Sequence, residues 1–347
     1  MSGGAERTIY EVGRRLINKG NELKWFSVVE GSLPTNEVIS GISINRLPSN
    51  EIAHLLIPII LRREKHDVVV DDLGHAVPWG SEYFCKGVGT VFFHHLHKRS
   101  LKGQVSIPFR FMISEMESLY PIIYRKWPFV TESNSSIGDL ISLGIRKDRI
   151  VKILPGLNPE DFRNSEKTKD PSIVYFGGFR NYKRPWEVLF VLREILKTRK
   201  EIHLYMVGNG PSLEKVKQIA KDIAVTEHVT FAGRLEENYL KRIVGQSWIN
   251  IHSAVTEGFG FSILEASALG TPTVAYDVNG VNEAIENGVN GILVEDGNRN
   301  EMASAISKIL DGYSGNWVSS SSKVAKKYSW DKTAEQWNSH LEHIRGL

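Results

Sequence analysis

Apolar positions follow two alternating patterns along the first half of the chain. Continuous apolar runs predict buried strands at KWFSVV (24–29), HDVVVDD (66–72), GTVFFH (89–94) and RIVKIL (149–154). Ile9, Val12 and Leu16 recur at helical spacing before them, and Gly20 follows as a stop. Strands that alternate with helices are typical of parallel sheets with crossover helices.

The second half repeats this alternation more regularly. Its predicted strands are IVYF, HLYMVG, HVTFAG, WINIHS and TVAYD, and its predicted helices are residues 186–198, 212–222, 237–245 and 262–269. A polar, charged stretch, NSEKTKDPS (164–172), separates the halves and indicates a domain boundary. Because 347 residues exceed one ordinary core, we predict an α/β protein with two doubly wound domains, residues 1–165 and 166–326.

Composition excludes several classes of protein. An apolar share of 41% and a charged share of 24% are those of a folded globular chain, and no apolar run approaches the roughly 20 residues of a membrane span. Cys85 is the single cysteine, so no internal disulfide indicates an oxidising compartment, and we predict a cytoplasmic protein. The net charge of +3 is too mild to indicate nucleic-acid binding, and all of the excess lies in residues 1–165.

Glycine-rich loops follow three predicted strands of the second half: GGFRNYKR (177–184), GNGP (208–211) and EGFG (257–260). In doubly wound sheets ligands bind beyond the carboxyl ends of the strands, and glycine loops before helices suit phosphates. We therefore predict a phosphate-bearing ligand, although each loop alone is equally a turn. GNGP lacks the G-x-G-x-x-G spacing, which argues against a dehydrogenase. Lys183, with Arg180 and Arg184 beside it, would neutralise a diphosphate or form a solvated turn.

Two acids bracket the last glycine loop, Glu257 before it and Glu265 eight positions later. A structural alternative exists for the second acid, because Ser262 and Glu265 fit the S-x-x-E capping box of a helix. Under that alternative Glu257 is an ordinary loop acid.

These segments together resemble the retaining glycosyltransferases of the GT-B fold, family 4 (group 1). TEGFGFSILEASALGTPTVAYDVNGVNEAI is similar to their donor-site segment with its Glu-x7-Glu spacing. SGGAER (2–7), with Gly3 and Gly4, resembles their N-terminal glycine loop, and SWDKTAEQWNSHLEHI resembles their terminal helix. The segments similar to motifs between these are TESNSSIGDLISLGI, KILPGLNPEDF, YFGGFRNYKRPWEVL, MVGNGP and VTFAGRL. The resemblance implies two Rossmann-like domains that face a central cleft, with residues 327–347 crossing back to the first domain.

The resemblance also implies roles for individual residues. Glu265 would hold the nucleotide ribose, Lys183 would bind the diphosphate, and Glu257 would meet sugar hydroxyls. His94, or its neighbour His95, would face the donor sugar from the first domain. The other donor-side positions are Gly178, Arg180, Gly208, Asn209, Gly210, Arg234, Gly258, Phe259, Gly260 and Phe261. Catalytic roles would fall to Glu257, His94 and Lys183.

Two features depart from the family pattern. Gly178 stands where the family usually carries an arginine ahead of the lysine, so the cationic clamp would depend on Arg180 or Arg184. Family members also begin with a strand before the N-terminal glycine loop. We therefore expect either a first sheet without its central strand or a native start upstream.

The resemblance implies a retaining, metal-independent transfer from a UDP- or GDP-sugar to a glycan, lipid or small-molecule acceptor. No D-x-D pair occurs in the sequence, and we expect neither a metal nor another cofactor. A nucleotide-sugar epimerase of the same fold and a non-catalytic partner subunit stay open as alternatives. Trp79, Tyr83, Phe84 and KRSLKG (98–103) are either a membrane-interfacial patch, which would place the protein peripherally at the cytoplasmic membrane face, or half-buried loop anchors.

Overall fold

A computed structural model describes residues 4–100, 106–163, 165–313 and 315–346. The described residues fall into two compact units. Those within Met1–His97, Ile107–Gly156 and Ser329–Leu347 form the first unit, and those within Lys98–Ser106 and Leu157–Tyr328 form the second. The N-terminal part of the first unit therefore stops at Gly156, before the predicted boundary at residue 165. The described residues after Tyr328 belong to the same unit.

The strands are β1 (Lys24–Val28), β2 (Asn36–Ile39), β3 (Ile42–Leu47), β4 (Val68–Leu73), β5 (Val88–Phe93), β6 (Phe129–Thr131), β7 (Ile150–Lys152), β8 (Ser172–Phe176), β9 (His203–Val207), β10 (Val229–Gly233), β11 (Ile249–His252), β12 (Thr273–Tyr276) and β13 (Gly291–Val294). The helices are α1 (Gly4–Asn18), α2 (Asn50–Arg63), α3 (His97–Ser100), α4 (Ile107–Ser118), α5 (Tyr120–Ile123), α6 (Asn134–Ser142), α7 (Pro185–Ile195), α8 (Leu213–Asp222), α9 (Glu237–Gln246), α10 (Phe261–Ala268), α11 (Arg299–Asp311), α12 (Gly315–Ala325) and α13 (Trp330–Arg345).

The first unit contains two separate sheets where a single sheet was expected. One has the order β1-β3-β2, and the other is parallel with the order β4-β5-β6-β7. Among the described residues, β1 pairs with β3 alone and β4 pairs with β5 alone. Val70, in the middle of β4, is accordingly 42% exposed.

The parallel sheet of the first unit is covered on both faces. Because successive strand residues point to opposite faces, Phe92 packs with α1 and α13, whereas Val91 and Phe93 pack with α5 and α6. The two faces therefore carry different helices, and α1 and α13 contact each other.

The second unit is a six-stranded parallel sheet with the order β10-β9-β8-β11-β12-β13. From β8 the chain builds outward through β9 to β10, and it then returns to place β11 on the other side of β8. Sheet order therefore reverses between β8 and β11, which is the position where doubly wound proteins bind ligands.

The sequence patterns located most of these elements, but not all. Each strand predicted above lies within a residue or two of an observed strand, and the predicted α/β class with doubly wound sheets is confirmed. β2, β3, β6 and β13 were not predicted, because they are short or alternate with polar residues such as Asn45. Gly4 begins α1, whereas Gly3 lies outside the described residues.

Within the described ranges, no helix has the length and apolar character needed to span a bilayer.

Substitutions at two glycines of the second unit would distinguish backbone strain from steric overlap. Gly177 and Gly210 have similar positive φ angles, 151° and 156°, but a Cβ would meet nothing at Gly177 and would lie 2.6 Å from the Phe179 carbonyl oxygen at Gly210. Gly210→Ala should therefore reduce the free energy of unfolding by about 1–3 kcal/mol more than Gly177→Ala does. Denaturant titration of both variants measures this difference. Equal losses of unfolding free energy would contradict the close approach of Gly210 to the Phe179 carbonyl oxygen.

Candidate active site

The predicted donor-side residues converge at the point where the strand order of the second unit reverses. Lys183 follows β8, and Glu257 follows β11. Because these strands are neighbours and parallel, their carboxyl ends lie at the same edge of the sheet.

The segment that carries Lys183 is fixed to the end of β11. Arg184 adopts a left-handed conformation with φ 47°, and its guanidinium donates to the carbonyl oxygens of Ser253 (2.8 Å) and Ala254 (3.0 Å). Buried Ser253 donates its hydroxyl to the carbonyl oxygen of Lys183 at 2.9 Å. The Arg184 guanidinium therefore serves as an anchor, already bonded to the backbone and to Asp296.

Lys183, Glu257 and His252 form a largely buried cluster. The Lys183 ammonium is paired with Glu257 Oε1, and His252 Nε2 lies 3.1 Å from the same oxygen. Burial by itself would raise the pKa of Glu257, but the Lys183 charge and the His252 hydrogen bond outweigh it and lower that pKa to about 2. Burial would lower the pKa of Lys183, yet the net shift is upward because of Glu257. Both side chains are therefore ionised at neutral pH.

The surrounding loops approach each other at backbone distance. Phe179 N donates to Asn209 O at 3.0 Å, and a Cβ on Gly208 would overlap the carbonyl oxygen of Gly177. On the other side, Glu257 N donates to Asn279 O at 2.9 Å, and a Cβ on Gly280 would overlap the Glu257 carbonyl. Glycine is required at these contacts, which leave backbone close to any ligand at this edge.

Arg180 lies close to the glycine at position 178. Arg180 is exposed, and a Cβ on Gly178 would lie 3.7 Å from Arg180 Cγ, so the arginine side chain lies beside the position where an arginine was expected. The positive charge of Arg180 also acts on Lys183, because it offsets part of the rise in the pKa of that lysine. A second cation therefore accompanies Lys183 at this edge.

The capping-box alternative for Glu265 is wrong. The N-cap of α10 is Gly260, with φ 72° and no side chain, so Ser262 lies inside the first turn and Glu265 in the middle of the helix. Glu265 is half-buried, and Phe259 packs into the core beside the loop. Arg234 is exposed directly after β10, whose Gly233 carbonyl accepts from Gly208 N at 2.8 Å.

His94 lies in the first unit between two carboxylates. Its Nε2 is 2.6 Å from Asp72 Oδ1, and its Nδ1 is 3.9 Å from Glu132 Oε2. Burial opposes the charged form, but Asp72 and Glu132 outweigh it and raise the pKa of His94 to about 10. Thr8, on α1, donates its hydroxyl to Glu132 Oε1 at 3.0 Å. His95 is half-buried and its ring stacks on that of His97, 5.0 Å between centroids.

The sequence patterns missed several of these partners. His252, Asp72 and Glu132 each stand at the end of a strand or directly after it, next to a predicted site residue in space. The rule that ligand-site residues follow parallel strands would have singled them out. Thr8 carried no such signal. Across the described ranges, no three His, Cys, Asp or Glu side chains converge as ligands for a metal ion.

Comparison with known proteins identifies the class. Residues 158–328 match the model of the family Glycosyl transferases group 1. The chain is 26% identical to a D-inositol 3-phosphate glycosyltransferase of Acidothermus cellulolyticus, over 96% of this chain and 84% of that one. It is also 26% identical to an uncharacterised glycosyltransferase of Methanocaldococcus jannaschii, over 92% of this chain and 89% of that one.

Solved structures agree on the fold. Sucrose-phosphate synthase from Thermosynechococcus elongatus aligns over 99% of this chain and 94% of its own with a TM-score of 0.82 at 17% identity. Anabaena HepE in complex with UDP-glucose aligns over 99% and 97% with a TM-score of 0.79 at 16% identity. The predicted GT-B fold is confirmed. The match at residues 158–328 confirms the predicted resemblance to the group 1 glycosyltransferases.

The carboxylates around His94 should make the stability of the first unit depend on pH. The folded pKa of about 10 lies above the ordinary 6.5, so the stabilisation is fully present below pH 6.5 and is lost as pH rises toward 10. The unfolding midpoint of the wild type should therefore approach that of His94→Gln across this range. His343→Gln, an exposed change in the same unit, is the control. A constant gap between wild type and His94→Gln would show that His94 is not held as an imidazolium.

Proposed function

We propose that this glycosyltransferase moves a sugar, with retention of configuration and without a metal ion, from a nucleoside diphosphate sugar to an acceptor. The observation that carries the proposal is the buried Lys183–Glu257 pair at the ligand-binding edge of the family domain. The acceptor class, whether glycan, lipid or small molecule, is left open.

Positive charge at this edge suits a departing diphosphate. Lys183 has three ammonium hydrogens, so it can keep its contact with Glu257 while it donates to phosphate oxygens. Arg180 is exposed beside it, and among the described residues its guanidinium has no hydrogen bond or ion pair to give up. Negative charge grows on the diphosphate as the glycosidic bond breaks, and cations fixed in advance stabilise that charge without reorganising. The absence of a D-x-D pair from the sequence is in keeping with such a clamp.

Glu257 would act through its charge and not as an acid. A carboxyl whose pKa is about 2 has no proton to donate at neutral pH. It would instead accept hydrogen bonds from sugar hydroxyls and stabilise the positive character that develops at the anomeric carbon. In this proposal the acceptor attacks on the face from which the diphosphate leaves, so no protein nucleophile is assigned.

The donor is proposed from the relatives. HepE was solved with UDP and with UDP-glucose, and two of the relatives are a D-inositol 3-phosphate glycosyltransferase and an α-D-kanosaminyltransferase. The relatives' names support glycosyl transfer, and the HepE complexes support a nucleoside diphosphate sugar as donor, with UDP-sugars to be tested before GDP-sugars. His94, which lies between the Asp72 and Glu132 carboxylates, is assigned a positioning role that fixes both of them.

Two alternatives are separated by one assay. The purified chain is incubated with UDP- and GDP-sugars, with and without a panel of acceptors. Transfer requires an acceptor, an epimerase converts the donor without one, and a non-catalytic partner subunit does neither. Transfer with retention of the anomeric configuration supports the proposal, and either of the other results contradicts it.

Transfer activity should survive chelation of divalent metals, whereas removal of the Lys183 ammonium should reduce it. Transfer in EDTA should match the untreated rate, whereas Lys183→Ala should lower kcat/KM by about 10- to 150-fold, the worth of one charge-assisted hydrogen bond. Lys183→Arg should retain more activity than Lys183→Ala, and Lys221→Ala, an exposed change in α8, should be neutral. Loss of activity in EDTA with recovery on adding a divalent metal would refute the metal-independent clamp.

The two acids should fail differently. Glu265→Gln should mainly raise the donor KM, because ribose hydroxyls do not change during the reaction. Glu257→Gln should mainly lower kcat, because its charge acts on the developing positive character. Each effect should be about 10- to 150-fold, and Glu227→Gln, exposed in the same unit, is the control. Full activity of Glu265→Gln would remove that acid from the donor site.

A further inference from the structure

The first unit exposes an unusually apolar surface on two of its helices, α2 and α4. α2 has two apolar stripes. Ala53 and Leu61 are buried against the unit, whereas Ile52, Leu55, Leu56 and Ile59 recur at i, i+3, i+4 and i+7 and are exposed, Leu55 by 71%. A surface helix normally presents polar residues on that side.

α4 shows the same inversion. Its buried positions are Ile113 and Glu117, while Phe109, Phe111 and Met112 are exposed, Phe111 by 67%. Beyond its end, Leu119 and Ile122 are exposed as well. The side of α4 that faces solvent is therefore apolar, and a buried position carries a carboxylate.

A chain of contacts joins α2 to α4. α2 packs against the short 3₁₀ helix Ser81–Tyr83, and the Arg62 guanidinium lies 5.3 Å from the centre of the Phe84 ring. Tyr83 then donates its hydroxyl to the Ile122 carbonyl oxygen at 3.0 Å, and α5 continues directly from α4. We define the α2–α4 surface by its exposed apolar side chains: Ile52, Leu55, Leu56, Ile59, Tyr83, Phe109, Phe111, Met112, Leu119 and Ile122. Exposed apolar side chains grouped on connected helices in this way indicate an interaction site.

The charges on this surface identify the occupant. Arg62 and Arg63 end α2, and Arg125 and Lys126 follow α5, all of them exposed. The exposed acids on the same helices are Glu51 and Glu115, and Glu64 is paired with Lys24 at 2.7 Å. Apolar and aromatic side chains with surplus cations at their margin match an anionic lipid surface, where the side chains enter the acyl boundary and the cations meet headgroups.

We propose that the α2–α4 surface docks the protein peripherally on a membrane that contains anionic phospholipid. The residues involved differ in part from the patch considered from sequence. Tyr83 belongs to the surface, whereas Trp79 is half-buried and stacked on His54 at 4.4 Å, and Phe84 is half-buried below Arg62. Residues 101–103 of KRSLKG (98–103) lie outside the described residues. The inference is independent of the sugar donor, and its test requires no transfer activity.

A second copy of the chain is the competing occupant. In a two-fold pair the same patch meets itself, which would gather the arginines of both copies around one interface. The surplus of positive charge argues against that arrangement and for a negatively charged partner.

The test is co-sedimentation of the full chain with vesicles. Vesicles of phosphatidylcholine mixed with phosphatidylglycerol should bind the protein, vesicles of phosphatidylcholine alone should bind it much less, and salt should weaken the binding. Phe111→Ser and Leu55→Ser should each reduce the partition constant by about tenfold or more. Lys126→Glu should reduce it by about fivefold or more. The matched controls are Tyr239→Ser, 61% exposed on α9, and Lys326→Glu, exposed after α12.

Hydrogen exchange of the unmutated chain keeps the test independent of variant folding. Amides of α2 and α4 should gain protection when anionic vesicles are added, and amides of α9 should not. Failure to bind these vesicles, equal binding by Phe111→Ser and wild type, or a dimer in sedimentation velocity that Phe111→Ser dissociates without any lipid binding would each overturn the proposal.

Discussion

The reversal of strand order between β8 and β11 is the constraint on which the second unit depends. Chain growth turns outward on each side of this pair, and the loops after the two strands meet at the ligand-binding edge through the Lys183–Glu257 pair and the bonds of Arg184. Each of these loops is also held by a frame of contacts with a neighbouring loop. The frame is backbone, because the loop after β8 contacts the loop after β9, and the loop after β11 contacts the loop after β12. Glycine at positions 208 and 280 permits both contacts, and a side chain at either would overlap a carbonyl oxygen.

Both units hold a cluster of charged side chains near the carboxyl ends of their strands, and the surplus charge of the two clusters has opposite signs. In the second unit one carboxylate, Glu257, is held by Lys183 with Arg180 nearby, which leaves surplus positive charge. In the first unit one imidazolium, His94, is held by Asp72 and Glu132, which leaves surplus negative charge. Each charged group is stabilised by a neighbour of opposite charge and not by water, so each unit keeps a charged edge that is fixed before any ligand arrives.

The fold and the site could be predicted from sequence where the local hydrophobic pattern matches the burial of the element in the folded protein. The strands of the six-stranded sheet are continuous apolar runs because both of their faces are buried, and Lys183 and Glu257 could be found because each follows such a strand. Arg184 could not be assigned, because its left-handed backbone, rare for a residue with a Cβ, turns its side chain toward the carbonyls of Ser253 and Ala254. The spacing of Ser262 and Glu265 misled for a related reason, since Gly260 takes the cap position and moves both residues inside the helix.

Hydrophobic periodicity predicts that a helix has a buried face but not what that face is buried against. The sequence of α2 has two apolar stripes, but only the stripe that holds Ala53 and Leu61 is buried. The helix packs against β1 and β3. In α4 a charged residue, Glu117, is buried and an aromatic residue, Phe111, is exposed. Burial of the Glu117 carboxylate is compensated by the backbone N–H and the imidazole of His97, whereas exposure of the Phe111 ring forgoes the free energy of burial. The docking proposal explains why these apolar side chains are exposed, and the arginines and lysine nearby restrict the chemistry of the proposed partner.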